Sequence, residues 1–118
     1  MTSKPQAFPD HVYALGERFR IELVPEFKDD DGVSPMFGDT GSDIIGGFYR
    51  IRINADLDTK SRWRTLIHEH IHAALAVNGV ANVLDNNVEE IIANTLEHAT
   101  IQLLRQYGKQ IMQQLGEE

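Results

Sequence analysis

Cysteine is absent from the 118 residues, which excludes disulfides, thiolate zinc sites, iron–sulfur clusters and cysteine nucleophiles in one step. Any bound metal must therefore take imidazole and carboxylate ligands. No apolar run approaches the ~18 residues that a membrane span needs. Met1 to Pro9 is polar, carries two prolines and lacks the charged-then-apolar order of a secretory signal, so the expected location is the cytosol. Nine glycines and four prolines are too few for a fibrous or wholly disordered chain, and 42% hydrophobic with 25% charged residues is a globular composition. Basic residues are outnumbered 18 to 11, giving a formal charge of −7. Polyanions are thus disfavoured, and neither nucleic acid nor a membrane is the expected partner.

The length allows one domain over residues 1–118, with 1–9 as a loose arm and one core. Asp10 to Leu15 has the length of a short helical turn ending at Gly16. Arg18 to Val24 then alternates strictly, with Phe19, Ile21 and Leu23 on one side and Arg18, Arg20 and Glu22 on the other, the pattern of a half-buried strand. Glu26 to Gly47 is loop-like, with an edge strand expected at Val33 to Phe37, interrupted by Pro35. Phe48 to Asn54 alternates again, Tyr49, Ile51 and Ile53 facing inward, Phe48, Arg50 and Arg52 outward. If the two strands pair, Arg18, Arg20, Arg50 and Arg52 share an outer face, balanced by Glu22 and nearby aspartates.

After Asp56 the period changes. Asp58 is a candidate N-cap, Ile67, Ile71, Ala74 and Leu75 recur at helical spacing, and Asn78-Gly79 is a stop signal, predicting a helix over about 59–78. Asn86 followed by Glu89 has the form of a capping box opening a second helix. Its apolar stripe is Ile92, Leu96, Ala99 and Leu103, and it ends or kinks near Gly108. Strands first and a helical hairpin after them predict an α+β fold with a two- to three-stranded sheet.

Within the first helix, His68-Glu69-His70-Ile71-His72 contains HExxH in full. Residues four apart are neighbours on a helix face, so His68 and His72 can offer two ring nitrogens to one ion. Glu69 lies about 100° round the helix, where a carboxylate reaches a metal-bound water without itself ligating, the position of a general base. A solvated His-rich helix face is the competing reading, and a strand carrying His68, His70 and His72 on one side is another. The run Ala73-Ala74-Leu75-Ala76 and the Asp58 cap favour helix over strand.

A catalytic zinc ion usually has three protein ligands and one open position. Glu89 and Glu90 on the second helix both match His72 in height across an antiparallel hairpin, about 6 Å into the second helix against about 9 Å before the end of the first. Glu90 is preferred as third ligand because Glu89 has a capping role, with Asn94 one turn on as a residue to orient a ligand. Against this, Glu89 projects nearer the middle of the apolar stripe, where an unpaired carboxylate is costly and a metal would resolve the cost.

The segments TLIHEHIHAAL and EEIIANTLEHA resemble the small zinc metallopeptidases of the gluzincin kind, in particular the ImmA/IrrE-type and SprT-like proteins often carried by phages and mobile elements. The resemblance spans about residues 48–105. It implies a minimal zincin-like fold, His68 and His72 as zinc ligands, Glu69 as base, and Glu90 in a Glu-x-x-Ala-Asn third-ligand pattern. The implied activity is hydrolysis of a peptide or protein substrate. The strand Phe48 to Asn54 resembles the edge strand along which such enzymes lay an extended substrate, and ordinary core sheet is the alternative. Tyr49, His98 and Tyr107 are candidates for stabilising an oxyanion. His11 and His70 read as surface residues, and Trp63 as packing. Two other classes share part of these features: a zinc-stabilised interaction module without catalysis, which needs the ligands but not Glu69, and a metal-free α+β adaptor.

Overall fold

The computed structural model describes residues 7–43 and 48–116, with only the backbone of Ser42, Asp43 and Phe48. It is an α+β fold with a four-stranded mixed sheet and two helices. Strands β1 (His11–Ala14), β2 (Glu17–Val24), β3 (Gly38–Asp43) and β4 (Phe48–Asn54) stand in the order β1-β2-β4-β3. They are followed by helix α1 (Thr59–Val77), a short 3-10 turn at Val80–Asn82, and helix α2 (Asn86–Leu115). No helix among the described residues is long and apolar enough to cross a membrane.

Strands β2 and β4 are central and run parallel, Ile21 opposite Ile51 and Leu23 opposite Ile53. Their inward residues Phe19, Ile51 and Ile53 are the largest fully buried side chains. Ala14, Ile21, Leu66 and Ala73 complete the core, which lies between one sheet face and α1. The predicted alternation holds, except that Leu23 is 41% exposed at the end of β2. The orientation expected for the Phe48 side chain lies outside the described residues, as do residues 1–6 of the expected loose arm. Phe8 of that arm packs against the core and against Trp63, with ring centroids 4.9 Å apart.

The residues expected to form a helical turn at Asp10 to Leu15 instead form β1, antiparallel to β2. Val12 and Ala14 face the core while His11 and Tyr13 face solvent, so period two wins over period 3.6. The hairpin turns on Leu15 and Gly16, both at positive φ, the conformation of a tight primed turn.

The edge strand is also not where it was expected. Val33 to Phe37 contributes only an isolated bridge, Pro35 to Lys28, with Val33 76% exposed. The six residues after it form β3, antiparallel to β4. The sheet therefore has four strands, and β4 is an interior strand paired on both sides. On its outer face Arg52 is held by the Asp39 carboxylate and lies over the Phe27 ring, while Arg20 pairs with Glu22 at 2.6 Å. Two of the four arginines expected on this face, Arg20 and Arg52, are thus paired with carboxylates.

Helix α1 begins as predicted, the Asp58 carboxylate accepting from the Ser61 amide at 2.8 Å, and Gly79 follows its end at φ +82°. Its most buried residues are Thr65, Leu66, Glu69 and Ala73, while Ile67, Ile71, Ala74 and Leu75 are half-buried. Helix α2 is capped one residue earlier than expected, by the Asp85 carboxylate on the Asn87 amide. An ionised carboxylate with extended backbone is as good an N-cap as asparagine, so Glu89 is released from the capping box. The buried residues of α2 are Ala93 and Glu97, whereas Leu96 and Leu103 of the predicted stripe are 45% and 49% exposed. The buried face is thus rotated away from the stripe, toward the line of Glu89, Ala93 and Glu97. A kink falls at Tyr107, beside the predicted Gly108.

Candidate metal centre

Helices α1 and α2 pack together, and their shared face carries the polar residues that a purely apolar hairpin would bury at a loss. His68 and His72, one turn apart on α1, bring their Nε2 atoms to 3.2 Å. The Glu90 carboxylate of α2 straddles both, Oε1 lying 2.7 Å from His68 Nε2 and Oε2 3.0 Å from His72 Nε2. The ligand atoms of these three residues all lie within 4.8 Å of one another.

Each ring is fixed from behind. His68 Nδ1 donates to Glu97 Oε1 at 3.0 Å, and His72 Nδ1 donates to Glu89 Oε2 at 2.5 Å. A carboxylate accepts only, so with the proton on Nδ1 these bonds would leave the Nε2 lone pair of each ring free for a metal on the Glu90 side. Arg64, one turn before His68, holds the other oxygen of Glu97 at 3.3 Å. Three acceptors then converge, an arrangement at rest only with protons or a cation among them. The donor set fits zinc: two nitrogens at ~2.0–2.1 Å from one tetrahedral centre stand about 3.3 Å apart.

The two glutamates therefore divide the roles: Glu90 faces both Nε2 atoms, and Glu89 braces His72. Glu97 and Arg64 were not singled out from the sequence. The available signal was a glutamate two turns after Glu90 on the same face of α2, opposite an arginine one turn before His68. Asn94 lines the cleft but orients neither imidazole; its carbonyl takes a bond from His98 Nδ1 at 2.7 Å.

Glu69 is only 6% exposed and turns from the hairpin toward the sheet. Thr40 of β3 donates to it, with Oγ1 2.8 Å from Glu69 Oε1 and 3.1 Å from the Glu69 carbonyl. Burial pushes the Glu69 carboxyl above the ordinary carboxylate range, against the lowering influence of the Thr40 hydroxyl and of His72 and His68, while Glu90 adds to the rise. Two clefts, of about 540 and 630 Å³, meet along Gly38, Glu69 and Glu90. One opens between Phe37, Arg64 and His98, the other between Thr40, Tyr49 and Ala81. Strand β3, which among the described residues pairs with β4 alone, runs past both. The polar, glycine-containing composition of β3 hid it and Thr40 from sequence reasoning.

Among the oxyanion candidates, Tyr49 lines the second cleft and stacks on Phe19 at 4.7 Å, and His98 lines the first. Tyr107 lines neither and stands about 25 Å along the helix axis from Glu90. His11 is exposed beside Asp10, whereas His70 is a tie between elements, its Nε2 2.8 Å from the Tyr13 carbonyl of β1. Compared with known proteins, the chain matches no family model, no curated protein and no solved structure.

Proposed function

We propose that this chain is a zinc-dependent metallopeptidase with a minimal zincin-like fold, of the gluzincin kind that its HExxH segment resembles. The observation that carries the reading is the pair of Nε2 atoms at 3.2 Å facing the Glu90 carboxylate, with both Nδ1 atoms anchored on carboxylates. His68, His72 and Glu90 would hold the metal, with Glu89 and Glu97 setting the tautomers of the two rings. Bound zinc supplies a Lewis acid that polarises a carbonyl and makes water more acidic.

The chain's own residues supply the rest. Glu69 Oε1 is taken by Thr40, which leaves Oε2 to accept the proton of the attacking water. As the carbon–nitrogen bond of the peptide breaks, the same carboxyl returns that proton to the departing amine. Its burial suits the first half of this exchange, because a carboxylate with a raised pKa is the stronger proton acceptor. The edge role that the sequence suggested for Phe48–Asn54 passes to β3, whose outer backbone groups are available to an extended peptide laid along the clefts.

The test is zinc stoichiometry with peptide hydrolysis. Glu69→Gln is expected to keep zinc and lose about 10²–10⁴-fold in hydrolysis, while His68→Ala and His72→Ala lose zinc. Hydrolysis untouched by Glu69→Gln would remove the base. A wild type that unfolds on metal removal and cleaves nothing across a broad peptide library would be a zinc-stabilised interaction module instead.

A further inference from the structure

Strand β3 comes unusually close to α1. A Cβ added at Gly38 would stand 2.8 Å from both the Arg52 carbonyl oxygen and Thr65 Cγ2, and 3.3 Å from Glu69 Cγ. Gly38 and Thr40 lie two residues apart and so face the same way, toward the helix. Because residue 38 has no side chain, the backbone can approach until the next side chain on that face, Thr40, reaches the carboxylate of Glu69. The contact is specific. A threonine hydroxyl has one proton, and of its two acceptors the carboxylate oxygen is nearer, at 2.8 Å against 3.1 Å for the helix carbonyl. A hydroxyl whose sole purpose was to satisfy the helix backbone would not need the carboxylate.

We infer that Thr40 is a positioning residue for Glu69, fixing one carboxylate oxygen so that the other faces the cleft. The inference rests on the proposed hydrolase reading and adds to it a physical link between the strand that would bind substrate and the base that would act on it. Thr40 has its main chain in β3, opposite Ile51 of β4, and its side chain on Glu69. A peptide that pairs with β3 therefore settles against the same strand that sets the orientation of the base. A buried carboxylate without this partner keeps its charge and burial but loses its fixed direction, and misdirection of a catalytic group by about 1 Å is enough to cost ~10²-fold in rate.

The experiment compares Thr40→Val, which keeps the shape and removes the hydroxyl, with Thr40→Ser, which keeps the hydroxyl. In the zinc-loaded protein Thr40→Val is expected to lower kcat about 10–100-fold with KM and zinc affinity unchanged, and Thr40→Ser to restore most of the rate. In crystals of the metal-free Thr40→Val protein the Glu69 carboxylate is expected to leave its wild-type position, and in Thr40→Ser to keep it. The inference is overturned if Thr40→Val hydrolyses at the wild-type rate, if its loss lies in KM or zinc content alone, or if Glu69 keeps its place in the Val variant. A wild type without hydrolysis would defeat the peptidase reading alone, since the position of Glu69 in the two variants still decides whether Thr40 holds it.

Discussion

At the scale of single residues, the two imidazoles are defined by what stands behind them. A histidine with a free Nδ1 can present either tautomer, and in one of them its outer nitrogen carries a proton where a ligand needs a lone pair. Glu97 and Glu89 remove that freedom for His68 and His72. Glu97→Gln and Glu89→Gln are each expected to weaken zinc binding about 10–100-fold, measured by competition with a chromogenic chelator, and Glu90→Ala to weaken it further. If Glu89→Gln proves as damaging as Glu90→Ala, the division of roles between these neighbours is wrong. The juxtaposition of His68 and His72 was legible in the sequence because residues four apart on a helix share a face. The bracing pair was not, because the phase of α2 depends on which residue caps it: with Asn86 as cap Glu89 is occupied, and with Asp85 as cap it is free to meet His72.

Among the elements, β2, β4 and α1 follow from periodicity, since each buries one face and leaves the alternate positions polar. Strand β3 does not, because Gly38-Asp39-Thr40-Gly41-Ser42-Asp43 contains no apolar residue to mark a face. Its conformation is imposed by pairing with β4 and by the close seat against α1 at Gly38. Nor is β1 legible as a strand, because Val12 and Ala14 are too short an alternation to mark one and its turn begins on Leu15 at φ +48°, where a branched aliphatic residue gives no turn signal. Gly38→Ala is expected to destabilise the fold by about 1–3 kcal/mol in urea unfolding and to lower activity by shifting Thr40 away from Glu69. Gly41→Ala on the same strand, with nothing within 4 Å of the added methyl, is expected to stay within about 0.5 kcal/mol of wild type. Equal effects at the two positions would mean that the close approach at Gly38 is not what sets the strand.

On the scale of the whole molecule, four carboxylates, Glu69, Glu89, Glu90 and Glu97, surround two imidazoles in a chain already carrying a net charge of −7. The fold carries this concentration of negative charge between its two helices and the sheet, and on the proposed reading the metal-free chain holds such a site at the expense of stability. Zinc bound to the native state alone would offset it, by about 2.7 kcal/mol at a hundredfold excess over Kd. Glu69 is the member whose share can be separated. Its folded pKa lies above its unfolded one because burial disfavours the charged form, a rise that Glu90 reinforces and that Thr40, His72 and His68 oppose. A raised carboxyl pKa means that the native state binds the proton more tightly than the unfolded chain. The resulting stability is present at low pH and lost as pH rises through the folded value. Glu69→Gln keeps the hydrogen-bonding outline without the charge. With metal stripped, its thermal midpoint should therefore exceed that of the wild type at neutral pH, and the gap should close as pH falls through the folded pKa of Glu69. Aspartates such as Asp58, whose carboxyl is held below its ordinary range by Ser61, lose their stabilising effect in acid in both proteins alike, so the difference between the two curves reports Glu69 together with the neighbours that feel its charge, His68, His72 and Glu90. A gap that is absent at neutral pH, or that widens toward acid, would mean that the buried carboxylate is held by compensating contacts and carries no cost to the fold.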